Sequence, residues 1–120
     1  MDVRARVMTW DAALRRGDWD EARAQLADDA TFAGTEGPRC GSADEIVALM
    51  REFKGTVPDI ELLELDVQGD RAIARLRQPA WDDAEWHQVL VVRDDRIASL
   101  TDFDTHEAAV AAGGGGESRG

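Results

Sequence analysis

Residues 85–104 read EWHQVLVVRDDRIASLTDFD, and this stretch predicts the end of a β-meander. Residues 85–93 form one strand, Asp94-Asp95 a tight turn, and residues 96–103 a second strand. His87 is in phase with Val89 and Val91 along the first strand. Along the second, Asp102 and Asp104 share a face with Leu100, opposite Phe103.

Working backward, Pro79 interrupts pairing, and Ala80–Ala84 is a wider connection. Ala72, Ala74 and Leu76 line one face of the strand before it. Arg71, Ile73, Arg75 and Arg77 line the other. Gly69-Asp70 is a hairpin turn. In the preceding strand Ile60 and Leu62 alternate with Glu61, then Leu63, Leu65 and Val67 alternate with Glu64 and Asp66. That slip of phase predicts a β-bulge at Leu62-Leu63.

Before Pro58 the apolar period is helical. Val3, Val7, Trp10 and Leu14 form one stripe of a helix over 2–16, ended by Gly17. Asp18 and Glu21 form a capping-box-like start to a second helix over about 19–27. ATFA at 30–33 reads as a short strand with Phe32 inward, and TEGPRCG at 35–41 as loop. Ser42 and Glu45 open a third helix over about 43–54, with Ile46, Leu49, Met50 and Phe53 on its apolar face and Gly55 at its end. A last helix is predicted at 106–112, with Asp104 suited to cap it, and a flexible Gly-rich tail over 113–120. The order is helix, helix, strand, helix, then four strands: an α+β domain over 1–112, with three helices on one face of a curved sheet.

A chain of 120 residues fits one domain with its own core. Its 25 acidic residues against 14 Lys and Arg leave a net charge of −11, and the arginines are dispersed. Both facts argue against nucleic-acid binding. The one cysteine, Cys40, permits no internal disulfide and suits a reducing compartment. No apolar run approaches the roughly 20 residues of a membrane span, and MDVRARVMTW lacks a signal-peptide core. A cytoplasmic protein without a membrane partner is expected. His87 and His106, with no cysteine near either in sequence, make no zinc spacing, and no phosphate loop or dinucleotide fingerprint occurs. Neither metal nor cofactor is expected.

Three segments carry a family resemblance: WDAALRRGDWDEARAQLADDATFAG, GSADEIVALMREF and VVRDDRIASLTDFDTHEAAVA. Together, over about residues 5–112, they resemble the nuclear transport factor 2-like superfamily, and within it the SnoaL-like (polyketide-cyclase-like) proteins. The resemblance implies a cone-shaped barrel around an open-ended apolar pocket, and a homodimer formed through the sheet. It also implies several possible activities, among them isomerase, dehydratase, epoxide hydrolase, cyclase and plain binding, between which fold does not choose. The chain has no tyrosine, so an isomerase mechanism using a Tyr oxyanion donor is excluded. The Arg-x-Asp pair of the superfamily's epoxide hydrolases has no counterpart in RAIARLRQ.

The catalytic candidates are His87, Asp102 and Asp104. A histidine moves protons near neutral pH, and an aspartate in a dry pocket gains basicity. The resemblance places a carboxylate that works as a base on a carbon acid near the strand end that carries Asp102 and Asp104. The ligand-binding candidates are Trp10, Phe32, Phe53, Arg75, Trp86 and Val89, suited to a small apolar or aromatic molecule. Trp81 and Trp86 flank WDDAEW and form either a pocket mouth or a dimer contact. Arg75 and Arg77 face either the ligand or solvent. Two functional readings stand: acid/base isomerisation, cyclisation or dehydration of a carbonyl compound, or a non-catalytic binding or dimerisation module.

Overall fold

Asp2 opens the first helix, its carboxylate accepting from the Ala5 N–H in a computed structural model that describes residues 2–35, 37–56 and 60–113. Helix α1 spans Val3–Arg16 and buries Val3, Val7, Trp10 and Ala13. Gly17 ends it in the left-handed region, φ 70°, where its N–H reaches the Ala13 and Leu14 carbonyls. The Asp18 carboxylate accepts from the Glu21 N–H at 3.2 Å and caps α2, Trp19–Ala24.

Helix α2 is shorter than its sequence suggests, and the strand after it is longer. Strand β1 spans Leu26–Ala33 and begins where Leu26, fully buried, pairs with Ile97. A partner seventy residues away overrides local helical propensity there. Strand β2, Arg39–Cys40, lies inside the expected loop and pairs with the end of β1. Cys40 is buried opposite Phe32, and burial pushes its thiol up, away from a reactive thiolate. In α3, Ala43–Thr56, the Ser42 hydroxyl accepts from the Glu45 N–H while Glu45 accepts from the Gly41 N–H. Helix α3 continues through Gly55, and Pro58 lies outside the described residues.

The meander runs β3 (Glu61–Gln68), β4 (Arg71–Gln78), β5 (Ala84–Arg93) and β6 (Arg96–Phe103). The bulge falls where expected: Leu62 pairs with Leu76, and Glu64 with Arg75. Asp94 and Asp95 both take positive φ, 53° and 65°, as a two-residue hairpin turn with right-twisted strands requires. The sheet order is β2-β1-β6-β5-β4-β3, antiparallel except for the parallel β1–β6 pair. β2 and β3 are free edges, so the α+β cone stays open.

Helices α1–α3 pack on one face, where Leu26, Ile46, Leu90, Val92, Ile97 and Leu100 are buried in one core. Helix α4, His106–Gly113, covers the other face, with Ala109 against Ile73, Val89 and Phe103. The tail expected over 113–120 begins one residue later, since Gly113 ends this helix, and 114–120 lie outside the described residues. No described helix is long and apolar enough to cross a membrane. Ile97 is fully buried and apart from the cavity described below. Ile97→Ala is expected to cost roughly 2–5 kcal/mol, seen as a lower urea midpoint.

Candidate functional site

Side chains alternate across a strand, and directly paired residues share a face. On β5, Trp86, Gln88 and Leu90 pair with Leu76, Ala74 and Ala72 of β4, and all point toward α1–α3. On β6, Leu100 and Asp102 pair with Leu90 and Gln88. Between this face and the helices lies an apolar cavity of about 420 Å³, walled by Trp10, Phe32, Phe53, Leu76, Trp86 and Leu100 among others. All four tryptophans line it.

Asp102 is half-buried on this wall, its Oδ1 accepting from Gln88 Nε2 at 2.8 Å. Burial pushes the Asp102 carboxyl up to about 6, against the pull of hydrogen bonds from Gln88 and the Trp86 side chain that favour its charged form. Of the other carboxylates on the lining Asp11 is half-buried too, whereas Glu85 is exposed. Asp11 is bridged to Arg15 at 2.9 Å, and Glu85 to Arg75 at 2.9 Å. Asp104 is exposed at the rim. It does not cap α4: the Thr105 hydroxyl does so, accepting from the Ala108 N–H at 3.1 Å. The helix begins one residue later than an Asp104 cap requires.

His87 is not brought to the cavity. It pairs with Phe103 and Arg75 on the α4 side of the sheet, and its ring lies 5.3 Å from that of His106 in an edge contact. Its Nδ1 is buried without a partner, and burial, His106 and Arg75 all hold its pKa below 6.5. Val89 faces the same way, into the α4 cluster. Arg75 also points outward, bonded to Glu64 and Glu85 at 2.9 Å each, and Arg77 bonds Glu61. The Val89/Val91 face reads as pocket because it is apolar, but α4 makes it so. Of the sequence candidates, Trp10, Phe32, Phe53, Trp86, Asp102 and Asp104 meet at the cavity, while His87, Arg75 and Val89 do not. Gln88, bonded to Asp102 on the cavity wall, is not among the sequence candidates. Its signal was its antiparallel register with Asp102. Among the described residues no group of three or more His, Cys, Asp or Glu is placed to hold a metal.

The His87 environment carries its own pH dependence. Its folded pKa lies below the unfolded value near 6.5, so below that pH the unfolded chain binds more protons and stability is lost. Urea midpoints at pH 7.5 and 5.5 are expected to show a larger acid loss in wild type than in His87→Phe. An equal loss would mean that His87 is not a source of acid sensitivity.

The curated proteins contain no match to this sequence. Among solved structures, a polyketide-cyclase candidate from Sinorhizobium meliloti is similar at 25% identity and TM-score 0.73, covering 82% of this chain and 94% of that one. An NTF2-like protein of unknown function from Cytophaga hutchinsonii shares the fold at 13% identity and TM-score 0.73, with 90% and 94% covered. An LEH-like epoxide hydrolase of M. tuberculosis shares it at 19% identity and TM-score 0.69, with 91% and 89% covered. The SnoaL-like domain model matches residues 7–100, most of the length over which the cone and its cavity are built, and the chain therefore belongs to the SnoaL-like domain family.

Proposed function

We propose that the cavity binds a small neutral carbonyl compound, and that Asp102 removes a proton from the carbon next to the carbonyl. The observation that carries this reading is a half-buried carboxylate on an apolar wall that is held by the neutral Gln88, where half-buried Asp11 is held by Arg15, and that is raised to about 6. Such a group is ionised at neutral pH yet basic enough to accept a proton from carbon. The C–H bond breaks, its proton passes to Asp102, and the electron pair moves onto the carbonyl oxygen as an enolate. Gln88 and Trp86 hold the carboxylate through N–H donors. Returning the proton to another carbon completes an isomerisation. Attack of the enolate carbon on a second carbonyl closes a ring as the Asp102 proton passes to the new alkoxide, and loss of a β-hydroxyl that takes this proton and leaves as water completes a dehydration. The likeness to a polyketide-cyclase candidate supports the same first step.

The test needs no native substrate. 2-Tetralone, a flat two-ring ketone with acidic α-protons, is incubated with the protein in D2O, and α-proton loss is followed by NMR. Exchange faster than the buffer rate and dependent on Asp102 supports the reading. Saturable binding without exchange makes the cavity a non-catalytic binding site and overturns it.

A further inference from the structure

Trp81 is an exception among the large apolar side chains. It is 41% exposed, yet it also lines the cavity. It sits on the 3-10 turn Pro79–Trp81, inside the five-residue connection between the paired residues Gln78 and Ala84. Gln78 is fully buried, and its Oε1 accepts from the Ala80 N–H at 2.9 Å, which pins the start of the turn. On the far side Asp82 and Asp83 both take positive φ, 57° and 56°. Two consecutive non-glycine residues in the left-handed region are strained, and such strain persists only where surrounding structure imposes it. Here both ends of the connection are held by the β4–β5 ladder.

The turn sets Trp81 between two other cavity-lining rings. Its centroid lies 5.9 Å from Phe53 at 58°, and 6.0 Å from Trp86 at 33°. Neither contact is a parallel stack, and at these separations the three rings touch and close one edge of the cavity. A planar molecule passes when they part by one ring thickness. A molecule whose two aromatic planes are twisted against each other needs a wider opening.

We infer that Trp81 is the specificity-determining residue of the cavity, a gate that admits flat ligands and delays twisted ones. This rests on the cavity being a ligand site, and not on Asp102 acting as a base. The two ideas therefore fail separately: the gate is read by probe-binding kinetics and the base by proton exchange, with Met8→Ala, at an exposed side chain off the cavity lining, as the control that keeps the gate.

The experiment is stopped-flow fluorescence with two neutral probes, planar 2-aminoanthracene and twisted N-phenyl-1-naphthylamine. In wild type and in Met8→Ala the planar probe is expected to associate at least tenfold faster. In Trp81→Ala the twisted probe gains tenfold or more in association rate and the preference disappears. Trp81→Phe keeps the preference, which separates a lost ring from a lost fold. Asp82→Gly/Asp83→Gly relieves the left-handed strain, frees the turn and gives an intermediate ratio. Unchanged association rates in Trp81→Ala, with only faster dissociation, would make Trp81 a wall and overturn the gate. So would sedimentation showing a dimer that Trp81→Ala splits while probe kinetics stay unchanged.

Discussion

Asp102→Asn is expected to slow α-proton exchange of 2-tetralone by about 10²- to 10⁴-fold, the range that a positioned general base contributes. The substitution keeps the shape of the side chain and its acceptor for Gln88 Nε2, which sits 2.8 Å away in the wild type. It replaces the other oxygen with an amide nitrogen that cannot accept a proton. In wild type the exchange rate should rise with pH through about 6, as Asp102 ionises, and then level off. Gln88→Leu should move that inflection upward, because the lost hydrogen bond favours the charged carboxylate. A structural role for Gln88 alone would lower the rate without moving the inflection. An exchange rate in Asp102→Asn equal to wild type would end the proposal that Asp102 is the base.

The same substitution is expected to stabilise the fold at pH 8 by up to about 3 kcal/mol, from a shift of about two pKa units at 1.36 kcal/mol each. The sign follows from proton counts. The folded-state value is about 6 and the ordinary value 3.8, so between them the folded chain holds more protons than the unfolded chain. Stability from this group is therefore greatest below 3.8 and falls as pH rises to 6. Above 6 the folded protein carries a desolvated charge at full cost. Asparagine carries none. Urea midpoints of Asp102→Asn and wild type should differ most at pH 8 and converge near pH 3.5. A destabilised variant at pH 8 would mean that the carboxylate is held by stronger partners than Gln88 and Trp86. Together the two measurements describe a residue that lowers stability in exchange for reactivity.

Much of this was legible locally. The period change after α3, the bulge at Leu62-Leu63, both hairpin turns and the helix caps at Asp18 and Ser42 are written in short windows, and the structure has them, although the Glu21 carboxylate accepts from Gln25 instead of completing a capping box. Asp102 was assigned to Leu100's face by alternation alone, and it lines the cavity with Leu100. The face of His87 was misread for a physical reason. Both faces of β5 are apolar, one toward the cavity and one under α4, and alternation cannot tell them apart. The outward turn of Arg75 follows from the same register: it shares His87's face, and Glu64 and Glu85 lie there to pair with it. The length of β1 was hidden because its ladder forms with a strand far along the chain.

That parallel ladder also governs when the protein is able to fold. During synthesis β3, β4 and β5 can zip as local hairpins as each leaves the ribosome. Strand β1 was made long before, yet its parallel neighbour is β6, ending at Phe103. Until then β1 lacks the neighbour that joins it to the meander, and Leu26 and Phe32 remain exposed to chaperones or to one another. The carboxylate at 102 arrives with the same strand that joins the two ends of the chain, so a molecule interrupted before β6 lacks both its core and its candidate base.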